Sequence, residues 1–593
     1  MPLAQAPSVR ELSAKQTEGV STRKNRETGS IPTHFPSKEV FSVKEFHKSV
    51  VYQIYPKSFQ DTTGSGTGDL RGVIRRLDYL KELGVDYLWL TPFFISPQND
   101  NGYDVADYRA IDPRYGTMED FDALAAAAKE RGIGLMLDMV FNHTSTEHEW
   151  FRKALAGDAR YRDYYIHRPG KEDGSAPTNW VSKFGGNAWA YVPQWGEYYL
   201  HLFDRTQADL NWENPEVRAE LADVLRFWMK KGVSGFRFDV VNLISKPDVF
   251  EDDNTGDGRR FYTDGPRVHQ YLQELCREAG LNEAGMVTVG EMSSTTLDNC
   301  VRYSNPEEGE LSMCFSFHHL KVDYPNQNKW ALPEAGFSPL PGLKQVLNTW
   351  QTGMEQGGGW NALFWCNHDQ PRVVSRFGDD GEYRKVSAKM LATLIHMMRG
   401  TPYIYQGEEI GMTNAGYTDI HQYQDVESLN YFEILKEQGV DEEQVYEILR
   451  QRSRDNSRTP MQWDGSENAG FSAGTPWLSV QKNYGEINAE ADRASRDSVF
   501  DYYRKLIALR KEWDVISEGS YTPLLEEHPD LFAYRREYEG TTLTVICSFA
   551  RHEVPFPGEI LSENSRLLLG NYEETPSPLT MALRPFETRV FVH

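Results

Sequence analysis

Between Val50 and about Leu509 the chain alternates short apolar runs with longer segments in which apolar residues recur every three or four positions. The short runs are Val50–Tyr55, Tyr87–Pro92, Leu135–Phe141, Gly235–Val241, Met286–Glu291, Leu311–Phe317, Ala362–Asn367 and Pro402–Tyr405. Each predicts a strand. The segments between them predict helices. Leu70, Val73, Ile74, Leu77, Leu80 and Leu83 fall on one helical face, and Gly84 ends it. The next helix opens with Thr117 and Asp120 in capping-box spacing, followed by Phe121, Leu124 and Ala128. Eight strand–helix units favour a closed (β/α)8 TIM barrel, an α/β fold, over an open doubly wound sheet.

Three stretches break the repeat. After Asn142-His143, about 70 residues pass before the helix near Asn214–Lys231, too many for a simple loop. They predict a subdomain, residues 144–212, inserted after strand 3 on the catalytic face of a barrel spanning 46–143 and 213–515. From about Asp530 the runs become short and alternating, at Leu531–Arg535, Thr542–Cys547 and Thr588–Val592. They predict a C-terminal antiparallel β domain over 516–593. Residues 1–45 mix Ser, Thr, Lys, Arg, Glu, Gly and Pro with few large apolar residues, the composition of a flexible tail.

Composition narrows the function classes. Hydrophobic residues are 39% of the 593 and charged residues 25%, enough for a large core. A net charge of −24 argues against general nucleic-acid or acidic-membrane partners. No apolar run approaches the ~18–20 residues of a membrane span. Nor does a secretory-signal core lie near Met1. The five cysteines lie far apart with no CxxC pair, which fits a reducing, cytoplasmic setting. The 14 Trp, 31 Tyr and 29 Phe often stand beside polar residues, a mixture suited to sugars.

The strand ends carry the chemistry, as they do in barrel enzymes. Run three leads through Asp138 to Asn142-His143, run four is Gly235-Phe-Arg237-Phe-Asp239, run five ends in Gly290-Glu291, and run seven leads to Asn367-His368-Asp369. Three carboxylates, an arginine and two histidines on one rim match the needs of glycosidic bond cleavage. One carboxylate attacks or stabilises the oxocarbenium-like centre and another protonates the departing oxygen. Arg237, two residues before Asp239 on the same strand face, is expected to keep that aspartate ionised. Glu291 is the expected proton donor, its pKa raised in a drier site beside other acids.

These four segments resemble the signature regions of the α-amylase superfamily, glycoside hydrolase family 13. The resemblance runs from about Val50 to His593, including the long insertion (domain B) and the terminal β domain (domain C). It implies a retaining mechanism with Asp239 as nucleophile, Glu291 as general acid/base and Asp369 as transition-state stabiliser. It also implies that His143 and His368 contact the −1 sugar and that Arg237 orients Asp239. Asn101-Gly-Tyr103-Asp104 and the segment from Ser453-Arg454-Asp455 to Trp463 resemble the oligo-1,6-glucosidase group. In that group Asp104 and Arg454 are expected to grip the 4-OH of the terminal sugar, with Tyr103 stacked on its ring, making an exo-acting pocket. Val240 after the nucleophile resembles members acting on links other than α-1,4.

Two departures bear on the ligand. In Asp61-Thr-Thr63-Gly-Ser65-Gly-Thr67-Gly-Asp69, threonine and serine stand where calcium-binding relatives carry acidic or amide residues. Asp61 and Asp69 are the only charged candidates for a metal, and a glycine-rich turn without an ion is expected. No cofactor is called for. After strand six, Phe317-His318-His319-Leu-Lys321 places basic residues where neutral-sugar relatives carry acids, and Lys183 lies in the insertion. In an acidic chain such a cluster suits a phosphate. The resemblance is closest to members that hydrolyse trehalose 6-phosphate, a small sugar-phosphate substrate. The rival expectations are an oligo-1,6-glucosidase or sucrose isomerase acting on neutral α-glucosides, and a non-catalytic barrel serving as a binding subunit. Intact Asp239, Glu291 and Asp369 argue against the last.

Overall fold

The computed structural model describes residues 46–574 and 582–593. The segment 1–45, expected to be a tail, lies outside the described residues. Eight parallel strands close a barrel: β1 (Val51–Ile54), β2 (Tyr87–Leu90), β3 (Gly134–Met139), β4 (Gly235–Phe238), β5 (Val287–Met292), β6 (Met313–Ser316), β7 (Asn361–Leu363) and β8 (Thr401–Tyr405). They are the eight apolar runs, with ends shifted by a few residues. β1 pairs with both β2 and β8, so the sheet has no edge.

Local chemistry sets the helix boundaries. Thr117 and Asp120 form the reciprocal capping box that opens Met118–Glu130. Asn214 caps Pro215–Lys230, with proline where its missing N–H costs nothing. The first helix departs from expectation by splitting into Leu70–Arg75 and Leu77–Leu83. The break is at Arg76, whose guanidinium lies 3.9 Å from the centroid of the Trp463 ring and donates to Gln60 Oε1 at 2.7 Å. Gly84, at φ 96°, closes the second piece in a left-handed conformation that favours glycine.

Between β3 and β4 the chain leaves the barrel. His143–Ser145 pairs antiparallel with Gln207–Asp209 at the base of the insertion. Above it, His167–Arg168, Trp189–Val192 and Glu197–Leu200 make a three-stranded sheet. Trp180 and Trp189 of the insertion share one apolar cluster with Val240, Leu243 and Tyr262 of the loop after β4. That packing attaches the insertion to the segment just beyond Asp239.

The terminal sheet has the order β9-β10-β11-β13-β12: β9 (Ser520–Leu524), β10 (Leu531–Tyr538), β11 (Thr541–Ser548), β12 (Arg566–Gly570) and β13 (Thr588–Val592). β9 and β12 were not expected from the sequence. β9 is an edge strand that contains Pro523, and β12 carries an irregular register between Leu567 and Leu569, so neither shows clean alternation. Buried Arg536 joins the sheet to the barrel through the carbonyls of Met397 (2.9 Å) and Ile516 (2.8 Å). Among the described residues, no helix is long and apolar enough to cross a membrane.

Candidate active site

The barrel register brings the chemistry together. Arg237 on β4 lies level with Asp138 on β3 and Val289 on β5. Its Nη1 donates to Asp138 Oδ1 at 2.7 Å and to Asp239 Oδ1 at 2.6 Å, and its Nη2 donates to Glu291 Oε2. Asp138 is fixed further by Trp89 Nε1 (3.0 Å) and the Tyr103 hydroxyl (2.9 Å). One buried guanidinium therefore serves two buried carboxyl groups and a third, that of Glu291, which is partly exposed. It cannot hold all three fully ionised in a dry site.

Burial decides where the proton stays. It pushes Glu291 up to about 8, with the charge of Asp239 adding to the rise and Arg237 opposing it. It also raises Asp239, again against Arg237. The two carboxyl groups share a hydrogen bond. Of the pair, Glu291 holds its proton to the higher pH. The arrangement is an ionised aspartate beside a protonated glutamic acid, the pair that double displacement requires.

Val240 adds a backbone contribution. This β-branched residue sits at φ 35°, ψ 39°, a strained left-handed conformation costing on the order of 1–3 kcal/mol. The turn aims its N–H at Glu291 Oε2, 3.3 Å away. Asn242 then ties the two strand ends together, since its Oδ1 accepts from the Ser293 N–H at 3.2 Å.

Asp369 occupies a different electrostatic setting. Arg458 donates to its Oδ1 at 2.6 Å and Arg454 at 3.4 Å. Although partly desolvated, its carboxyl is held far below the usual carboxylate range by the charges of Arg454 and Arg458, with His368 adding to them only at acid pH where its ring is protonated. His368 stacks on Tyr103 with ring centroids 5.1 Å apart. Gln53 Nε2 donates to His368 Nδ1 at 2.8 Å, which leaves the proton of the neutral ring on Nε2. Burial lowers this histidine to about 3, so it is neutral. Its buried Nε2 lies 3.4 Å from Asp369 Oδ2 without forming a hydrogen bond, so it can turn to a sugar hydroxyl. His143 Nε2 faces the Tyr103 carbonyl at 3.1 Å and Gln207 Nε2 at 3.2 Å.

The expected Asp104–Arg454 pair is not formed. Asp104 is fully buried in its own turn and accepts from Ser96 Oγ (2.7 Å) and the N–H groups of Asn99 (2.8 Å) and Asp100 (3.3 Å). The pocket-side acid at Arg454 is Asp100, at 3.4 Å, four residues before Asp104 and immediately ahead of the 101–104 motif. Arg454 is braced from behind by Asp425 at 2.5 Å. Its looser contacts, to Asp100 and Asp369, face the pocket. The pattern of the motif could have pointed to Asp100 and to Arg458, which lies in the same segment as Arg454. Gln53 and Asp425 carry no local signal, because only the fold brings them to the site.

The basic candidates divide. His319 is buried, with Nε2 committed to the Phe364 carbonyl at 2.8 Å, so that nitrogen braces the turn. His318 bonds Ser316 Oγ at 3.0 Å and stacks on Trp350, and burial lowers it to about 4. Neither histidine supplies a cation at neutral pH. Lys321 donates to the Ser293 carbonyl at 3.3 Å and Ser294 Oγ at 3.4 Å. Lys183 lies over the Tyr262 ring, 5.5 Å from its centroid, and forms no ion pair among the described residues. Burial pulls it down to about 8, and the charges of Arg259, Asp257, Lys321 and Glu291 all act on it.

In the Asp61 loop both carboxylates are hydrogen-bonded within the protein. Asp61 accepts from Thr63 N (2.8 Å), Gly64 N (3.0 Å), Gly66 N (2.8 Å) and Ser472 Oγ (2.6 Å). Asp69 accepts from Thr62 N and Gly72 N, both at 2.7 Å.

Comparison with known proteins agrees with this geometry. The α-amylase catalytic-domain family model matches residues 53–519. A trehalose-6-phosphate hydrolase of Bacillus subtilis is 57% identical over 549 residues, covering 92% of this chain and 97% of the relative. One from Escherichia coli is 58% identical over 543 residues, covering 91% and 98%. The crystal structure of a Bacillus licheniformis trehalose-6-phosphate hydrolase superposes with a TM-score of 0.88 at 56% identity, covering 92% of this chain and 99% of that one. The chain belongs to the α-amylase family.

Proposed function

We propose that this α-amylase-family enzyme is a retaining, exo-acting α-glucosidase that cleaves trehalose 6-phosphate to glucose and glucose 6-phosphate. The unphosphorylated glucose occupies the closed −1 pocket, its far end against Asp100 and Arg454. Glu291 gives its proton to the glycosidic oxygen while Asp239 attacks the anomeric carbon from the opposite face. The C–O bond breaks, glucose 6-phosphate departs, and the glucose is held as an ester of Asp239. Glu291, now a carboxylate, takes a proton from water as that water attacks the same carbon. The ester bond breaks, Asp239 is released, and two inversions retain the α configuration. Arg237 keeps Asp239 ionised and aimed. Asp369, held as an anion by Arg454 and Arg458, stabilises the positive charge that develops on the sugar.

The observation that carries the substrate reading is the pair Lys183 and Lys321 beside the general acid. Neither forms an ion pair among the described residues, and the charges of Lys321 and Glu291 both act on Lys183. In a chain of net charge −24, cations left without carboxylate partners at the mouth of a sugar site suit an anionic sugar. The names of the relatives point the same way. The chemistry uses no metal or cofactor, a reading supported by the committed oxygens of Asp61 and Asp69. Five unpaired, buried cysteines support a reducing, cytoplasmic setting.

The test is glucose release from trehalose 6-phosphate, trehalose and isomaltose assayed side by side. Trehalose 6-phosphate is expected to be turned over with the highest kcat/KM. Preference for either neutral sugar would reassign the enzyme to the neutral α-glucosidases.

A further inference from the structure

We infer that Arg259 is a third phosphate-binding side chain of the +1 subsite, converging with Lys183 and Lys321 on the 6-phosphate. The inference rests on the trehalose 6-phosphate reading and assigns a residue that the sequence motifs did not single out.

Arg259 opens a short helical turn, Arg259–Tyr262, in the loop after β4. That loop is docked on the insertion. The Val181 N–H donates to the Asp257 carbonyl at 3.0 Å, and Trp180 packs against Tyr262 with centroids 5.5 Å apart. Lys183 follows two residues after Val181 and lies over the same Tyr262 ring. The docking therefore sets Arg259 and Lys183 on two sides of one seam at the pocket mouth.

Asp257 fixes how the guanidinium is presented. Arg259 Nε lies 2.9 Å from each Asp257 oxygen, and Nη2 lies 2.5 Å from Oδ2. The Nε–Nη2 edge is spent on the carboxylate, while Nη1 makes no hydrogen bond among the described residues. Neighbouring Arg260 differs, pairing with Asp253 at 3.0 Å and stacking on Phe261.

Charge supplies the second line of argument. Burial holds both Lys183 and Lys321 below the ordinary lysine range, and the charge of Arg259 adds to that lowering in each. Three cations with one bound carboxylate leave an excess of two positive charges. A phosphate monoester carries about −1.5 to −2 at neutral pH and matches that excess. A guanidinium adds planar, directional N–H groups to the point charges of two ammonium groups.

The test is Arg259→Gln, with trehalose 6-phosphate and p-nitrophenyl α-glucoside assayed on the same preparations. The ratio of their specificity constants should fall about 10- to 100-fold in favour of the uncharged substrate, the loss of one charge-assisted contact. Arg259→Lys should recover part of it. Inhibition by inorganic phosphate should weaken in Arg259→Gln. An unchanged ratio, or an equal loss on both substrates, would overturn the inference. Lys321→Ala and the wild-type substrate preference separate the two levels. If wild type prefers trehalose 6-phosphate and Lys321→Ala shifts the ratio while Arg259→Gln does not, only the assignment of Arg259 fails. If wild type prefers a neutral sugar, the underlying reading fails first.

Discussion

The two ends of the substrate pocket handle charge in opposite ways. At the −1 end, the ionisable groups are largely enclosed and paired with one another: Arg237 with three carboxyl groups that share a proton, and Arg454 and Arg458 with Asp369 and Asp425. At the +1 end Lys183, Lys321 and Arg259 converge with Asp257 as the one bound acid. A matched network is closed and stiff, which suits placing a neutral ring and moving one proton. An unmatched cluster pays repulsion until an anion arrives, so it reads the feature that separates one substrate from another. Catalytic power and substrate choice are therefore separable, and variants should split along that line.

The largest effect should come from unbalancing the matched end. Asp239→Asn removes the nucleophile and should cost on the order of 10⁴-fold or more in kcat on charged and uncharged substrates alike. Glu291→Gln should fall severely on trehalose 6-phosphate yet recover with p-nitrophenyl α-glucoside, whose leaving group needs no proton. Proton NMR of wild-type turnover should show the α-anomer first. Initial β-product would remove the double displacement, and with it the roles given to both residues.

The next effect tests the closed end of the −1 pocket and sets two nearby aspartates against each other. Asp100→Asn should lower kcat/KM about 100-fold on both substrates with little change in melting temperature, since its contact with Arg454 is a loose 3.4 Å. Asp104→Ala should instead lower the melting temperature, because it leaves the buried Ser96 hydroxyl and the N–H groups of Asn99 and Asp100 without their acceptor. The opposite assignment, with Asp104 the activity residue, would restore the pairing that the motif suggests.

That contrast shows what the sequence could and could not carry. The eight strands were legible because each is a short apolar run, and the candidate acids because strand ends at a barrel mouth rarely hold carboxylates without purpose. Asp104 was misread because a motif fixes proximity along the chain, while the direction of a side chain depends on the turn around it. His319 looked basic but spends its ring nitrogen on the Phe364 carbonyl, a partner 45 residues away. Gln53, Asp425 and Arg259 were missed because nothing near them in sequence marks them. They matter through contacts that exist only after folding.

The pH profile should also divide between the two ends. Activity needs Asp239 ionised and Glu291 protonated. With an uncharged aryl α-glucoside, kcat/KM should fall as pH rises through about 8, where Glu291 loses its proton. It should also fall on the acid side as Asp239, raised by burial, takes one up. The two limbs belong to the coupled pair. With trehalose 6-phosphate the alkaline limb should be steeper, because Lys183, lowered to about 8, loses its charge in the same range. In Lys183→Ala the two substrates should then share one alkaline slope. Identical slopes in the wild type would show that Lys183 does not meet the phosphate.

The smallest effect should come from removing metal ions. The Asp61 loop carries two acids, like the +1 cluster in having concentrated charge of one sign, but its charge is already answered from within the protein. Backbone N–H groups of Thr63, Gly64 and Gly66 and the Ser472 hydroxyl point at Asp61, and those of Thr62 and Gly72 point at Asp69. A hard divalent ion would have to displace these donors while gaining only two carboxylates. EDTA should therefore move the melting temperature by no more than about 1 °C, since a ligand that does not bind the native state cannot stabilise it. Ser472→Ala should do more. It removes a charge-assisted hydrogen bond worth about 1.5–3 kcal/mol from a buried acid, and should lower the melting temperature by a few degrees. If EDTA instead lowered the melting temperature by several degrees, and calcium restored it, the loop would hold an ion. The hydroxyl of Ser472 would then be one of its ligands and not its substitute.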